Sequence, residues 1–353
     1  MRDHKVQAAL DSLIGSQTPG LQYLVLNSGG PIFHYSAGWA DIRHQRPMTE
    51  ATTLNAYSMS KTITAAAVLL LVQRKAVGLD DQLARYFKSN PYGPSITIRQ
   101  LLSHTSGIPN PIPLRWVHSI SQHEGFDETA ALSVVLSAHP RLSSSPGSRF
   151  AYSNVGYWLL GQVVETIVGE AFQSFVCEQV LRPLEIPKQD LSYAVPDCER
   201  HAQGYLEKYS ATNLFKYFLI DRKLIGTYEG GWLRIEPHYV NGPAFGGLIG
   251  TTRGFGSFLQ DQLQAQPILF GDDTRNLFFS QQSTDTGKPI PMTLGWHIGT
   301  VGKLAFHFKE GGGGGFRCLM RVYRSSGIAT VIMTNATGFD VNKALGTVDS
   351  FFL

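Results

Sequence analysis

The sequence predicts an α+β protein: one antiparallel sheet assembled from the two ends of the chain and flanked by helices, with an all-helical segment inserted between them. Three observations predict it. Near the N-terminus "LQYLVLN" and "PIFHYSAG" are β-rich runs separated by "SGG", the pattern of a hairpin. Near the C-terminus "MTLGWHIGTV", "KLAFHFK", "GFRCLMRVY" and "GIATVIMTN" form four more such runs with short turns, a meander. From about Asp80 to Val195, apolar residues recur instead at helical spacing. The expected division is a sheet domain of residues 1–79 plus 235–353 and a mainly helical domain of residues 80–234.

The elements follow in order. "MRDHKVQAALDSLIGSQTPG" reads as a short amphipathic helix and lacks the apolar core of a signal peptide. The longest apolar stretch, Ala65 to Val72, falls short of the ~20 residues that span a bilayer. The expectation is a cytoplasmic protein with no membrane partner. "DIRHQR" at 41–46 reads as a solvated turn. A buried helix begins near Ser58, runs through "ITAAAVLLLVQ" and ends at "AVGLDD", with Gly78 just past its end. "TIRQLLSHTSG" is a helix capped near Thr97, with Gly107 beyond it. "DETAALSVVLSAHP" and "NVGYWLLGQVVETIVG" are two more, and prolines 109, 111, 113, 140 and 146 break the connections. Residues 196–245 carry mixed signals and receive no assignment. "GGLIGTTRGFGSFLQDQL" returns to helix, and "DVNKALGTVDSFF" closes the chain with another.

Composition narrows the function classes. The chain has 353 residues, 43% of them hydrophobic, enough for a large core in one compound domain or two. Net charge is +3 without a basic block, which argues against a nucleic-acid partner. Three scattered cysteines without a CxxC give neither a disulfide framework nor a zinc site. The histidines show no HExxH, so no metal and no cofactor are expected.

Chemistry concentrates in "YSMSKT", where Ser58 and Lys61 are i and i+3 and share a helix face. A serine hydroxyl needs a neighbour to take its proton. A lysine can do so only when neutral; burial against Ala65, Ala66 and Leu69, or a second cation nearby, would lower its pKa. The same pair also fits an N-cap serine beside a snorkelling lysine. Two further features bear on the choice. Tyr152-Ser153-Asn154 stands at a loop-to-helix boundary: the tyrosine offers a second acid/base, its phenolate favoured by a nearby cation, and the asparagine amide can hold a substrate carbonyl. Tyr239-Val240-Asn241 is a competing Tyr-x-Asn. Lys309-Glu310-Gly311, followed by more glycines, ends a strand whose backbone a ligand could approach closely.

Serine with lysine three residues on, then Tyr-x-Asn, then Lys-x-Gly, in that chain order, resembles the penicillin-recognising serine enzymes, and most of all their class C β-lactamase-like branch. That branch holds D-alanyl-D-alanine carboxypeptidases, D-aminopeptidases and family VIII carboxylesterases. "TIRQLLSHTSGIP", "PGSRFAYSNVGYWLLG" and "GGLIGTTRGFGSFLQ" are similar to its connecting segments. The resemblance implies that Ser58 is the acylated nucleophile and that Lys61 and Tyr152 share the proton work. It implies that Asn154, Lys309 and Gly311 bind substrate, and that the N–H groups of Ser58 and Gly312 form the oxyanion hole.

One departure shapes the expected substrate. Glu310 stands where a threonine, serine or small residue is usual, and it would set a negative charge near a substrate carboxylate. Neutral acyl esters or amides are therefore expected in preference to β-lactams and peptidoglycan: a carboxylesterase on small or medium acyl esters, with a β-lactamase or D-amino-acid peptidase, an acyltransferase or a non-catalytic acyl- or peptide-binding homologue as the alternatives. The absence of Gly-x-Ser-x-Gly argues against an α/β-hydrolase. His307 is expected to be a packed or surface histidine, His104 a hydrogen-bonder of its loop, and Trp296 either core or part of an acyl pocket.

Overall fold

The computed structural model describes residues 2–112, 116–195 and 197–353; Pro113, one of the expected helix breakers, lies outside them. The N-terminal amphipathic stretch forms α1 (Arg2–Asp11), which buries Val6 and Leu10. β1 (Gly20–Asn27) and β2 (Gly30–Asp41) are the expected hairpin, and β3 (Arg46–Pro47) folds back on β2. The turn between β2 and β3 holds "DIRHQR", but its first residue is not solvated: Asp41 is buried and paired with Arg234.

After β4 (Leu54–Asn55) a 3-10 turn over Tyr57–Met59 leads into α2 (Ser60–Gln73), whose residues 60–71 are all buried. Buried on every side, this helix has protein all round it, and its polar residues Ser60, Lys61, Thr62 and Thr64 need internal partners. It ends earlier than Gly78. Lys75 takes the left-handed conformation, φ +59°, while its N–H and that of Ala76 bond back to Val72 and Leu71. This closes the helix with a Schellman motif, and Gly78 instead starts the next turn on Asp81.

α3 (Leu83–Tyr86), α4 (Ile98–Leu102), α5 (Glu128–Ala138), α6 (Asn154–Val168) and α7 (Phe172–Val176) follow, with the short strands β5 (Val117–Ser119) and β6 (Leu191–Ser192). Thr97 caps α4 in a capping box, and Ser153 caps α6 by accepting from the Gly156 N–H. The stretch that sequence patterns left unassigned contains β7 (Gly204–Glu207), α8 (Ala211–Leu214), α9 (Lys216–Leu219), β8 (Ile225–Glu229) and β9 (Trp232–Ile235). Its strands form a sheet ordered β7-β9-β8, with a small core of Leu206, Ile220, Leu224, Leu233 and Ile235. We call this unit the cap.

β10 (His238–Val240) pairs with β5, and α10 (Pro243–Gly246) leads to β11 (Ile249–Gly250), which lies between β4 and β6. α11 (Thr252–Leu263) and α12 (Asp272–Phe279) precede the meander of β12 (His297–Val301), β13 (Leu304–Gly313), β14 (Phe316–Tyr323) and β15 (Ile328–Thr334), and α13 (Val341–Val348) closes the chain. The main sheet is antiparallel and ordered β12-β13-β14-β15-β1-β2-β3, so the two termini meet where β15 pairs with β1. Strand alternation divides its side chains between two layers. Leu21, Tyr23 and Val25 pack with α1 and α13 on one face, while Leu24 and Leu26 join the larger core around α2 on the other.

Candidate active site

Ser58 sits in the 3-10 turn that opens α2. The residue before it, Tyr57, holds φ +43°, a left-handed conformation costly for a side chain of its size. Two contacts hold it there. Its hydroxyl donates to the Gly314 carbonyl at 3.0 Å and lies 2.7 Å from His238 Nε2. The turn also rests on β13, where Gly311 brings its Cα against the Ala56 carbonyl; a Cβ there would lie 2.1 Å from that oxygen. Gly313 likewise leaves room for the Tyr57 ring.

Around Ser58 Oγ the structure brings together residues 94 positions apart. Lys61 Nζ and the Tyr152 hydroxyl each lie 2.9 Å from it. Lys61 is fully buried; that burial, and secondly the charge of Lys309, hold its pKa well below the ordinary lysine value. Both causes considered from the sequence thus act together. Nζ also lies 2.7 Å from Asn154 Oδ1 and 2.6 Å from the Phe245 carbonyl, two groups that can only accept. A neutral amine has two N–H bonds. Spent on these acceptors, they leave its lone pair aimed at Ser58 Oγ, the geometry of a proton acceptor.

Tyr152 departs from expectation. Burial raises its pKa above the ordinary phenol value and outweighs the Ser58 hydrogen bond, so the resting group is a phenol rather than a phenolate. The cations do approach its ring, Lys61 at 5.1 Å and Lys309 at 4.7 Å from the centroid, yet they meet the π face and not the oxygen. His104 packs 4.3 Å from the same ring and His297 stacks at 6.2 Å. His104 also accepts from the Ser153 N–H, which makes it the loop hydrogen-bonder its sequence suggested.

The three expected substrate-binding residues take different positions around the site. Asn154 reaches the cleft; its carbonyl oxygen is committed to Lys61 and one amide N–H to Asn110 Oδ1 at 3.1 Å, so its second amide N–H is not used by these contacts. It positions the lysine. Lys309 stands opposite Met320 on β14, buried, with Nζ 3.2 Å from His297 Nε2 and its pKa lowered by burial to about 7. It lies behind the Tyr152 ring and is not among the cleft-lining residues. Gly311 is a packing glycine, whereas Gly312 does line the cleft beside Ser58. There β13 runs beyond the end of β12, which pairs no further than Phe308.

Glu310 overturns the argument built on it. Alternation along β13 sends Lys309, Gly311 and Gly313 toward the Ser58 turn and Glu310 to the opposite face. Its carboxylate bonds Arg317 at 2.7 Å and accepts from Asn342 of α13 at 2.9 Å. No like charge meets a substrate carboxylate there.

The cleft itself, about 690 Å³ including its open mouth, is lined by residues that sequence patterns did not single out. Trp116 and Val117 of the β5 segment, Ile220, Leu224 and Ile235 of the cap, and Val240 and Phe245 form its walls. Beyond Ser58, the polar lining is Tyr57, Asn154, His238 and the backbone of Gly312–Gly314; among the described residues no charged side chain lines it. His238 is kept neutral chiefly by burial. The competing Tyr239 and Asn241 turn away: Tyr239 accepts from the Val195 N–H, and Asn241 bonds His118. Trp296 is core, stacked on Phe279, and His307 lies against that same phenylalanine. Among the described residues no cluster of three or more metal-ligating side chains occurs.

Comparison with known proteins gives a family and a fold. A family model described as Beta-lactamase matches residues 4–349. The chain is 25% identical over 309 residues to penicillin-binding protein 4* of Bacillus subtilis (strain 168), covering 85% of this chain and 64% of that protein. It is 27% identical over 192 residues to protein flp of Staphylococcus aureus (strain MW2), covering 53% of this chain and 38% of that one. The chain thus spans less than two thirds of the length of these relatives. Among solved structures, D-amino acid amidase from Ochrobactrum anthropi SV3 superposes with a TM-score of 0.84 at 20% identity, covering 100% of this chain and 99% of the other. An octameric penicillin-binding protein homologue from Pyrococcus abyssi gives 0.81 at 18% identity, covering 100% and 77%.

Proposed function

The chain belongs to the beta-lactamase family of serine hydrolases and penicillin-binding-protein-like enzymes, and from that premise we propose that it is a carboxylesterase that forms an acyl-enzyme on Ser58. The observation that carries the reading is the cleft: apolar walls meet the nucleophile, and no charged side chain among the described residues faces it. A β-lactam or a D-peptide brings a carboxylate that would be desolvated there without a partner. A neutral ester with an apolar acyl group buries its chain instead and leaves no polar group unpaired.

The chemistry follows from the arrangement around Ser58. The Lys61 lone pair takes the Ser58 proton as Oγ attacks the ester carbonyl. The N–H groups of Ser58 and Gly312 receive the oxyanion. As the C–O bond breaks, Tyr152 gives its proton to the departing alkoxide and regains one from Lys61. Lys61, neutral again, then takes a proton from water, whose oxygen attacks the acyl-enzyme. Expulsion of Ser58 Oγ and its reprotonation restore the resting state. Asn154 and the Phe245 carbonyl keep Nζ aimed throughout.

The test is hydrolysis of p-nitrophenyl acetate, butyrate and octanoate beside a chromogenic cephalosporin, with wild type and Ser58→Ala in parallel. The expected result is ester turnover that rises with acyl length and falls to background in Ser58→Ala, a loss of at least ~10³-fold, with slow or no cephalosporin opening. Fast cephalosporin opening, or release of D-amino acids from their amides in preference to any ester, would reject the esterase reading. Product that appears only with an added alcohol or amine would make the protein a transferase.

A further inference from the structure

The cap roofs the cleft with its inner face, and its outer face is unlike the rest of the surface. Tyr209, Leu214, Phe215, Tyr217 and Tyr228 are 46–87% exposed, so among the described residues five of the thirteen large apolar side chains that stand out into solvent fall within twenty residues. Cations interleave with these aromatics. Lys208 Nζ lies 5.5 and 5.7 Å from the Tyr209 and Tyr228 rings, Lys216 Nζ 5.0 and 6.0 Å from Tyr217 and Tyr228, and the Arg222 guanidinium 5.6 Å from Tyr217. Lys216 and Tyr228 both donate to Asn213 Oδ1, at 2.9 and 3.1 Å, which fixes part of this ladder in place.

The exposed charge on this face favours cations. Lys208, Arg222 and Lys223 are exposed and Lys216 half-buried, against exposed Glu207 and Asp221. Glu229 is withdrawn into ion pairs with Arg43 and Arg234 beneath. Three tyrosines, a phenylalanine and a leucine interleaved with lysine and arginine suit the boundary between lipid headgroups and acyl chains, where rings bury their apolar body and cations meet phosphate. The same segment supplies Ile220 and Leu224 to the roof of the cleft.

We propose that the outer face of the cap docks on an anionic lipid surface and brings the cleft beneath it to amphiphilic esters held there. The substrate half of this inference rests on the esterase reading; the docking half does not. Co-flotation of the full chain with phosphatidylcholine vesicles, with and without phosphatidylglycerol, tests it. Two variants are compared: Tyr209→Ser with Leu214→Ser and Phe215→Ser, and Lys208→Glu with Arg222→Glu and Lys223→Glu. Wild type and Ser58→Ala are expected to float alike with anionic vesicles, and each triple variant to bind them about tenfold more weakly or worse. Unchanged turnover of p-nitrophenyl butyrate would report an intact fold in both variants. Failure of wild type to bind, equal binding to neutral vesicles, or undiminished binding by both variants would overturn the proposal. So would sedimentation showing that the three apolar side chains hold two copies of the chain together. Vesicle binding by Ser58→Ala with no ester turnover by wild type would retain the docking site and reject the esterase.

Discussion

At the scale of single residues, the decisive quantity is the proton on Lys61. Lys309 is the second of the two causes that lower its pKa. Removing that charge in Lys309→Met therefore raises the Lys61 pKa, and a base that must be neutral is then protonated at higher pH. The acid limb of the kcat/KM profile for p-nitrophenyl butyrate is expected to move upward; an unmoved or lowered limb would contradict the coupling. Stability carries a matching signature. The unfolded Lys309 titrates at 10.5 and the folded one at about 7. Between those values the unfolded chain binds a proton that the folded chain does not, so stability rises with pH across the window, and the cost of charging is full below it. The difference in denaturant stability between wild type and Lys309→Met should shift in favour of wild type from pH 7 to pH 10.5.

At the scale of elements, the site is a turn wedged between a helix and a strand. Gly311 shows how tight the wedge is. In Gly311→Ala the new methyl would meet the Ala56 carbonyl at 2.1 Å and Met59 N at 3.0 Å, both backbone atoms that cannot swing aside. The turn that carries Ser58 must shift. We expect a loss of ~2–3 kcal/mol in denaturant unfolding and a fall in kcat well beyond that of a surface substitution. Gly312→Ala would meet only the Arg317 side chain, which can move, and should leave stability nearly unchanged. Equal losses in the two variants would show that β13 does not support the turn in this way.

At the scale of the whole molecule, the two ends of the chain are tied by one buried carboxylate. Asp349, in the last helical turn, accepts from Tyr23 of β1 at 2.8 Å, Tyr323 of β14 at 2.8 Å and Thr330 of β15 at 3.1 Å, and pairs with buried Arg321. Burial raises its pKa, more than Arg321 lowers it. Asp349→Ala would leave the buried Arg321 charge with neutral partners alone, Tyr323 and Asn342, at a cost of ~3–5 kcal/mol. Chemical denaturation measures it, and a loss within the range of surface substitutions would deny the clamp its role. Since β1 lies between β15 and β2 in the sheet, damage here separates the termini rather than fraying an edge.

What the sequence determined by itself is what short-range periodicity encodes. The β1–β2 hairpin, the four-strand meander, buried α2 and the capped α4 and α6 all follow from patterns a few residues long. So does the placing of Ser58 and Lys61 on one face. The direction of Glu310 is legible too, since neighbours on a strand face opposite ways; its place beside Lys309 in the motif points the other way and misleads. Tertiary structure decided the rest. It buried Lys61 beside Lys309, set the Phe245 carbonyl and Asn110-held Asn154 around Nζ, kept Tyr152 a phenol, and closed an uncharged cleft with a cap from residues 204–235. Those outcomes depend on side chains far apart in the chain. A proton's free energy is set by what surrounds it in space, and sequence spacing carries that information only within a helical turn or along a strand.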